Sequence, residues 1–207
     1  GFIHPDGRQG YYEVRIHPSL EGILCISSDV TDRMTAEKTL KKERSFLRQV
    51  IDAVPGFIIV KDRQGRFELA NKAIADAYGT TAESMIGKTD ADFSPTGEEV
   101  ERFLADDREV METLRPKLIA EEKVTYASGE EHWLATVKVP LVDFDGVSRR
   151  VLAIATDITE RRRAEESLRE ETEELEKFFS SALDLLCVAD TDGYFRRLNV
   201  QWESAMG

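Results

Sequence analysis

Cysteine is nearly absent from this sequence: Cys25 and Cys187 are the two in 207 residues. Each sits in an apolar run, GILCIS and DLLCVAD, where an unpaired cysteine acts as a small buried hydrophobe. No disulfide framework is expected, and a reducing, cytoplasmic setting fits. Histidine is nearly as scarce, at three. His4, His17 and His132 all fall in or beside strand-like segments, where exposed sheet positions are the expectation, and none has the spacing of a metal-ligand cluster. No apolar run approaches the roughly 20 residues that cross a bilayer, so no direct membrane contact is expected. Positive charge is in deficit, 28 Lys and Arg against 40 Asp and Glu for a net charge of −12, which argues against nucleic acid or an anionic membrane as partner. Glycine-rich phosphate loops and nucleophile elbows are missing too. No catalytic residue and no metal site are therefore expected.

What the sequence does contain is an internal repeat. Shifting the chain by 128 positions sets residues 29–79 on residues 157–207 without a gap, with 15 identities in 51 pairs. Among them are Asp29/Asp157, Thr31/Thr159, Arg33/Arg161, Leu40/Leu168, Leu47/Leu175, Asp62/Asp190, Gly65/Gly193, Phe67/Phe195 and Asn71/Asn199. Upstream, GILCISSDVT at 22–31 meets RVLAIATDIT at 150–159. The chain begins with glycine, and the repeat is incomplete at both ends, so the expectation is a piece of a longer array. Its parts are the end of one unit (1–33), a helix (34–50), a complete unit (51–160), a second helix (161–178) and the start of a third unit (179–207).

The complete unit alternates between two periodicities. Strands are predicted at 57–62 and 66–70 around the turn Arg63-Gln64-Gly65, then short helices near 72–78 and 82–86. A longer helix is predicted over 98–114, with Val100, Phe103, Leu104, Val110, Met111 and Leu114 on one apolar face, ended by Pro116. Three strands follow at 117–126, 131–142 and 149–156, with Ser128-Gly129 and Asp145-Gly146 as hairpin turns. The same hairpin pattern accounts for His4-Pro5-Asp6-Gly7. In the middle strand Trp133, Ala135, Val137 and Val139 share one face. Two strands, several helices and three strands give an α+β fold: a five-stranded antiparallel sheet with helices on one face. Phe57, Ile59, Phe93, Phe103, Leu104, Met111, Trp133 and Val137 form a candidate apolar pocket, or equally an ordinary packed core.

Asp62-x-x-Gly65, Asn71 at the head of the first helix, Gly87-Lys88-Thr89, Gly129 followed by Trp133, and above all Asp157-Ile158-Thr159-Glu160-Arg161 together resemble the PAS family of sensory modules. Asp29-Val30-Thr31-Asp32-Arg33 is the first copy of that last motif. The resemblance implies a tandem PAS array that senses or relays a signal without catalysis of its own. A two-component sensor histidine kinase of a bacterial phosphorelay is the commonest parent, with its output domain downstream in the same chain. Input arrays of diguanylate cyclases or phosphodiesterases are alternatives, as is a ligand-free dimerisation spacer. Members forming a cysteinyl-flavin adduct carry a cysteine near 92–94, and haem members an axial histidine on the helix at 98–114. Both are missing here, so no cofactor is predicted, with a non-covalent flavin or another small organic ligand left open.

In this family the last strand continues into a signalling helix. Asp157 and Thr159, like Asp29 and Thr31, are residues suited to capping the start of a helix, and Thr159 is the expected N-cap, with Arg161 completing the junction. Behind it, Leu168, Thr172, Leu175, Phe179 and Ala182 recur at alternating gaps of four and three, as do Ala36, Leu40, Glu43, Leu47, Val50 and Val54. These heptad-like stripes predict a parallel coiled coil and a homodimer through the linker helices.

Overall fold

The computed structural model describes residues 2–3, 7, 9–19, 22–94 and 96–206. The expected turn at 4–6, with His4, and Pro95 lie outside the described residues. In chain order come β1 (Phe2–Ile3), β2 (Gln9–Gly10), β3 (Tyr12–Ser19), β4 (Gly22–Asp29) and α1 (Thr31–Ala53). The middle unit follows as β5 (Phe57–Asp62), β6 (Phe67–Ala70), α2 (Lys72–Ala77), α3 (Ala82–Met85), a 3-10 turn (Asp90–Asp92), α4 (Gly97–Thr113), β7 (Lys117–Thr125), β8 (Glu131–Val142) and β9 (Ser148–Asp157). Then come α5 (Thr159–Ser181), β10 (Cys187–Ala189), β11 (Phe195–Leu198) and α6 (Val200–Met206).

Five strands of the middle unit form one antiparallel sheet in the order β6-β5-β9-β8-β7. Helices α2, α3 and α4 pack on a single face of it, over a core that includes Phe57, Phe67, Ile74, Met85, Phe103 and Leu134. Local chemistry fixes the first hairpin. Asp62 Oδ1 accepts from the amides of Gln64 (2.9 Å) and Arg66 (2.8 Å), and Gly65 takes φ 76°, a left-handed value that suits glycine.

The inward stripe of α4 differs from the expected one. Its buried residues are Glu99, Phe103, Asp107, Val110 and Met111, whereas Leu114 is exposed as a left-handed C-cap at φ 55°. Two acids displace Val100 and Leu104 from the centre because both have partners beneath the helix. Glu99 takes the Thr125 amide (3.0 Å) and hydroxyl (2.9 Å), and Asp107 takes Lys138.

On β8 the expected facing is reversed. Leu134, Thr136 and Lys138 are buried against the helices, which puts Trp133, Ala135, Val137 and Val139 on the outer face. That face is apolar as well: Leu118, Val137, Ile154 and Ile58 are successive cross-strand partners along one row. Leu118, Val137 and Ile154 in this row are exposed.

Asn71 ties the hairpin to the incoming helix. Fully buried, it accepts at Oδ1 from Ile58 (3.1 Å) and Ile74 (3.4 Å) and donates from Nδ2 to the carbonyls of Gly56 (2.8 Å), Ile51 (3.2 Å) and Val54 (3.3 Å). Asn199 repeats the pattern 128 positions on. Its Oδ1 accepts from Leu186 (3.0 Å), and its Nδ2 donates to Asp184 (2.8 Å) and Ala182 (3.4 Å). Asp190 likewise caps its turn through the amides of Asp192 (3.1 Å) and Tyr194 (2.9 Å).

In the outer hairpins β3–β4 and β10–β11 most apolar side chains are open to solvent, with Val14, Ile16, Ile23, Leu24 and Val188 all exposed. Cys25 and Cys187 are therefore exposed free thiols, contrary to the burial expected from their apolar neighbours. Helices α1 and α5, 23 residues each, exceed the expected ranges at both ends: each starts directly at the end of a strand, and they run on to Ala53 and Ser181. No helix among the described residues is long and apolar enough to cross a membrane.

Asn71→Ala removes this group of bonds and leaves buried backbone groups unpaired, so a loss of about 2–3 kcal/mol is expected. Urea unfolding would read it as a lower midpoint at unchanged slope.

Candidate functional site

Two features of the middle unit carry chemistry: the strand–helix junction and a cavity between α4 and the sheet. At the junction, β9 runs into α5 with one intervening residue, Ile158, which is the geometric N-cap and makes no side-chain cap bond. Asp157 Oδ1 accepts from the Thr159 amide (2.9 Å). The Thr159 hydroxyl, expected to cap the helix, instead accepts from the Trp133 amide (2.8 Å), and the Ile158 amide donates to the Trp133 carbonyl (2.8 Å). Thr159 is buried at 5% exposure, which clamps the first turn of α5 onto β8. The earlier copy has the same wiring: Thr31 N to Asp29 Oδ1 (2.9 Å), Tyr11 N to Thr31 Oγ1 (2.9 Å) and Val30 N to Tyr11 O (2.8 Å).

Three junction residues were not legible in the sequence. Asp157 Oδ2 accepts from the Tyr126 hydroxyl (3.0 Å) and faces His132 Nδ1 at 2.7 Å. The Tyr126 and His132 rings stack with centroids 3.8 Å apart. His132 is thus a junction residue and not a free sheet position, while His17 is exposed as expected. Arg162 lies over the Trp133 ring at 3.9 Å and reaches Glu121 at 3.0 Å. Arg161, the expected junction residue, forms its ion pair along its own helix with Glu165 (2.8 Å), because one residue step on a helix turns the side chain by about 100° away from Arg162. Partial burial pushes the Asp157 carboxyl up, but the bonds from Thr159, His132 and Tyr126 outweigh it and hold the group below the usual carboxylate range. Burial, followed by the Asp157 charge, pushes the Tyr126 phenol up, so its hydroxyl stays a donor.

The cavity offers about 50 Å³ to the centres of water-sized groups. Of the expected pocket residues, Phe57, Ile59 and Phe103 line it. Phe93 stacks on Tyr78 (5.7 Å) behind the wall, Leu104 packs towards Gly65, and Met111 belongs to a separate cluster with Val110 and Val151. Trp133 and Val137 lie on the other side of the sheet. The apolar pattern of β8 selected the outer face because the inner one carries the polar lining.

That lining is charged. Lys61, Asp90, Asp107, Glu122, Thr136 and Lys138 all border the cavity, and every one is buried. Lys61 Nζ donates to Asp90 Oδ2 at 2.5 Å and lies 3.7 Å from Asp107 Oδ2. Lys138 Nζ donates to Asp107 Oδ1 (2.6 Å) and to the Phe103 carbonyl (3.2 Å). Burial works to discharge Lys61, but Asp90 and Asp107 outweigh it and raise its pKa. Burial, then the charges of Asp90 and Glu99, pushes the Tyr78 phenol up.

Removing one member of such a pair strands a buried charge, at a typical cost of about 3–5 kcal/mol. Lys138→Met alone is expected to destabilise by about 3 kcal/mol. Adding Asp107→Leu should restore most of that loss in chemical denaturation, because the double variant leaves no orphaned ion.

Residues 51–163 match the family model described as the PAS fold. The virulence sensor protein BvgS of Bordetella parapertussis is 30% identical over 148 residues, covering 69% of this chain and 12% of that protein. A diguanylate cyclase of Vibrio cholerae is 29% identical over 112 residues, covering 54% of this chain and 35% of that protein. The chain thus spans a small part of the curated relatives it matches. Among solved structures, the phage VqmA–DPO complex superposes with a TM-score of 0.50 at 25% identity, covering 66% of this chain and 62% of that one. The family match takes in the whole five-stranded unit and the first turn of the helix behind it: the chain belongs to the PAS family, and its middle unit is a PAS domain.

Proposed function

We propose that this chain is a tandem PAS relay, in which the state of the middle cavity is passed through Asp157 to helix α5 and on to an output domain in the same polypeptide. The observation that carries the reading is the two-sided use of one carboxylate. Oδ2 holds Tyr126, whose ring lines the cavity, and Oδ1 holds the first amide of the helix. A shift of Tyr126 therefore changes a helix-start bond directly, with no flexible segment between.

The array reading is supported by bonds repeated outside the middle unit: Asn199 repeats those of Asn71, and Thr31 those of Thr159. The helices support a homodimer. Residues 35–47 of α1 and 163–178 of α5 are all exposed, with Leu40, Leu47, Leu168 and Leu175 left open to solvent. A rod of this length with an uncovered apolar seam suits pairing with a second copy. We read the parent as a cytoplasmic sensor histidine kinase, and the similarity to the virulence sensor protein BvgS agrees with a sensory parent. The similarity to a diguanylate cyclase makes that the second reading, and a ligand-free spacer is the third. A compact organic ligand suits the cavity volume better than a flavin.

Tyr126→Phe removes one link while keeping the ring, so amide exchange over 159–165 should rise about five- to tenfold, as loss of a bond worth about 1 kcal/mol implies. Unchanged exchange would sink the relay. Leu168→Glu with Leu175→Glu should convert a dimer into a monomer in sedimentation velocity; a wild-type chain that is already monomeric at high concentration would exclude dimerisation through these helices.

A further inference from the structure

The lining of the cavity is unbalanced in a way that selects its occupant. Asp107 Oδ2, Glu122 Oε2 and Thr136 Oγ1 are buried without a hydrogen-bond partner among the described residues, and all three residues border this one cavity. The residues themselves are 1%, 8% and 3% exposed. A buried acceptor left unpaired is costly, and natural structures rarely leave one so. Three around a single void are best explained by donors arriving from outside the chain. Neither ammonium group is placed to bond them, although each has an N–H to spare. Lys61 is committed to Asp90 at 2.5 Å and Lys138 to Asp107 Oδ1 at 2.6 Å. Lys61 stays 3.7 Å from Asp107 Oδ2, and Arg102 stays 3.9 Å from Glu122 Oε2. The carboxylates are unequally served: Asp90 and Asp107 are held by the two lysines at 2.5 and 2.6 Å, whereas Glu122 has the more distant Arg102 at 3.9 Å. The remaining wall is aromatic and aliphatic, including Phe57, Phe103 and Leu134, and a flat cation fits against such rings.

We infer that the cavity binds a compact, planar organic cation bearing several N–H donors, of the amidine or amino-heterocycle class. Such a ligand donates to Asp107 and Glu122, meets the Thr136 hydroxyl, and lays its ring against the aromatic wall. Anionic metabolites are disfavoured, since both lysines are already paired with carboxylates and the open Glu122 and Asp107 oxygens would repel an anion. This assignment rests on the middle unit being the sensing domain, and it deepens that reading by naming the ligand chemistry.

The test uses the full 207-residue chain and 2-aminoimidazole, with 2-methylthiazole as a ring of similar size lacking donors and acetate as a small anion. Methyl resonances of Val124, Leu134 and Ala153 report on the cavity wall, and thermal melting reports on linkage. The expected result is saturable methyl shifts and a raised melting temperature with 2-aminoimidazole alone. Binding should weaken at least tenfold in Glu122→Gln, and in Thr136→Val to a smaller extent. Equal binding of thiazole or acetate, affinity unmoved by Glu122→Gln, or no shifts at 10 mM 2-aminoimidazole would overturn it and leave the cavity as a water-filled gap. If Glu122→Gln fails to fold, Thr136→Val alone decides, since it keeps shape and charge. The exchange measurement on Tyr126→Phe does not depend on any ligand, so loss of the ligand class and loss of the relay are told apart.

Discussion

Strand β9 is hydrogen-bonded along both edges, to β5 on one side and β8 on the other. Its last residue, Asp157, is still in register with Leu134 when the chain turns helical. A central strand cannot move without its neighbours, because each shift breaks two ladders at once. The direction in which α5 leaves the domain is therefore set by the whole sheet. Trp133 reinforces this from β8, giving its amide to Thr159, accepting from Ile158 and lying under Arg162. The first turn of the helix is in effect an extension of two strands.

The interior shows why a sensing role is physically reasonable for this sheet. A purely apolar core would be stiffer and more stable than one containing Lys61, Asp90, Asp107 and Lys138, whose desolvation is only partly recovered by pairing. Such a cluster is tolerated when its geometry is good, and here the short Lys61–Asp90 and Lys138–Asp107 contacts satisfy that condition. The unpartnered oxygens are the part not satisfied within the chain. Tyr126 stands between the two regions, its ring on the cavity and its hydroxyl on Asp157. The cavity wall and the helix start thus share one residue, Tyr126.

Much of the architecture was legible in local sequence. The hairpin turns, the helices of the middle unit and the three long strands fall within a residue or so of where periodicity and turn chemistry put them. The β8 facing was misread for a definite reason. Trp133, Val137 and Val139 look like a core face, and alternation identifies two faces without saying which one is covered. The outer face is apolar too, so hydrophobicity could not break the tie. Only α4, arriving with Glu99 and Asp107, decides that Thr136 and Lys138 face inward.

By itself the sequence determined the repeat, the α+β order, the absence of loops at both strand–helix junctions and the importance of Asp157 and Thr159. These depend on composition and spacing along the chain, where each signal is local. The roles of His132, Tyr126 and Arg162, the pairing of Lys61 with Asp90, and the group of unpartnered acceptors were decided by the tertiary structure. These contacts join residues 25 to 41 positions apart in the chain, through a sheet register and a helix orientation that no short window encodes. A buried ion pair leaves no periodic trace, because its members are chosen for one another across the core and not for their neighbours in sequence.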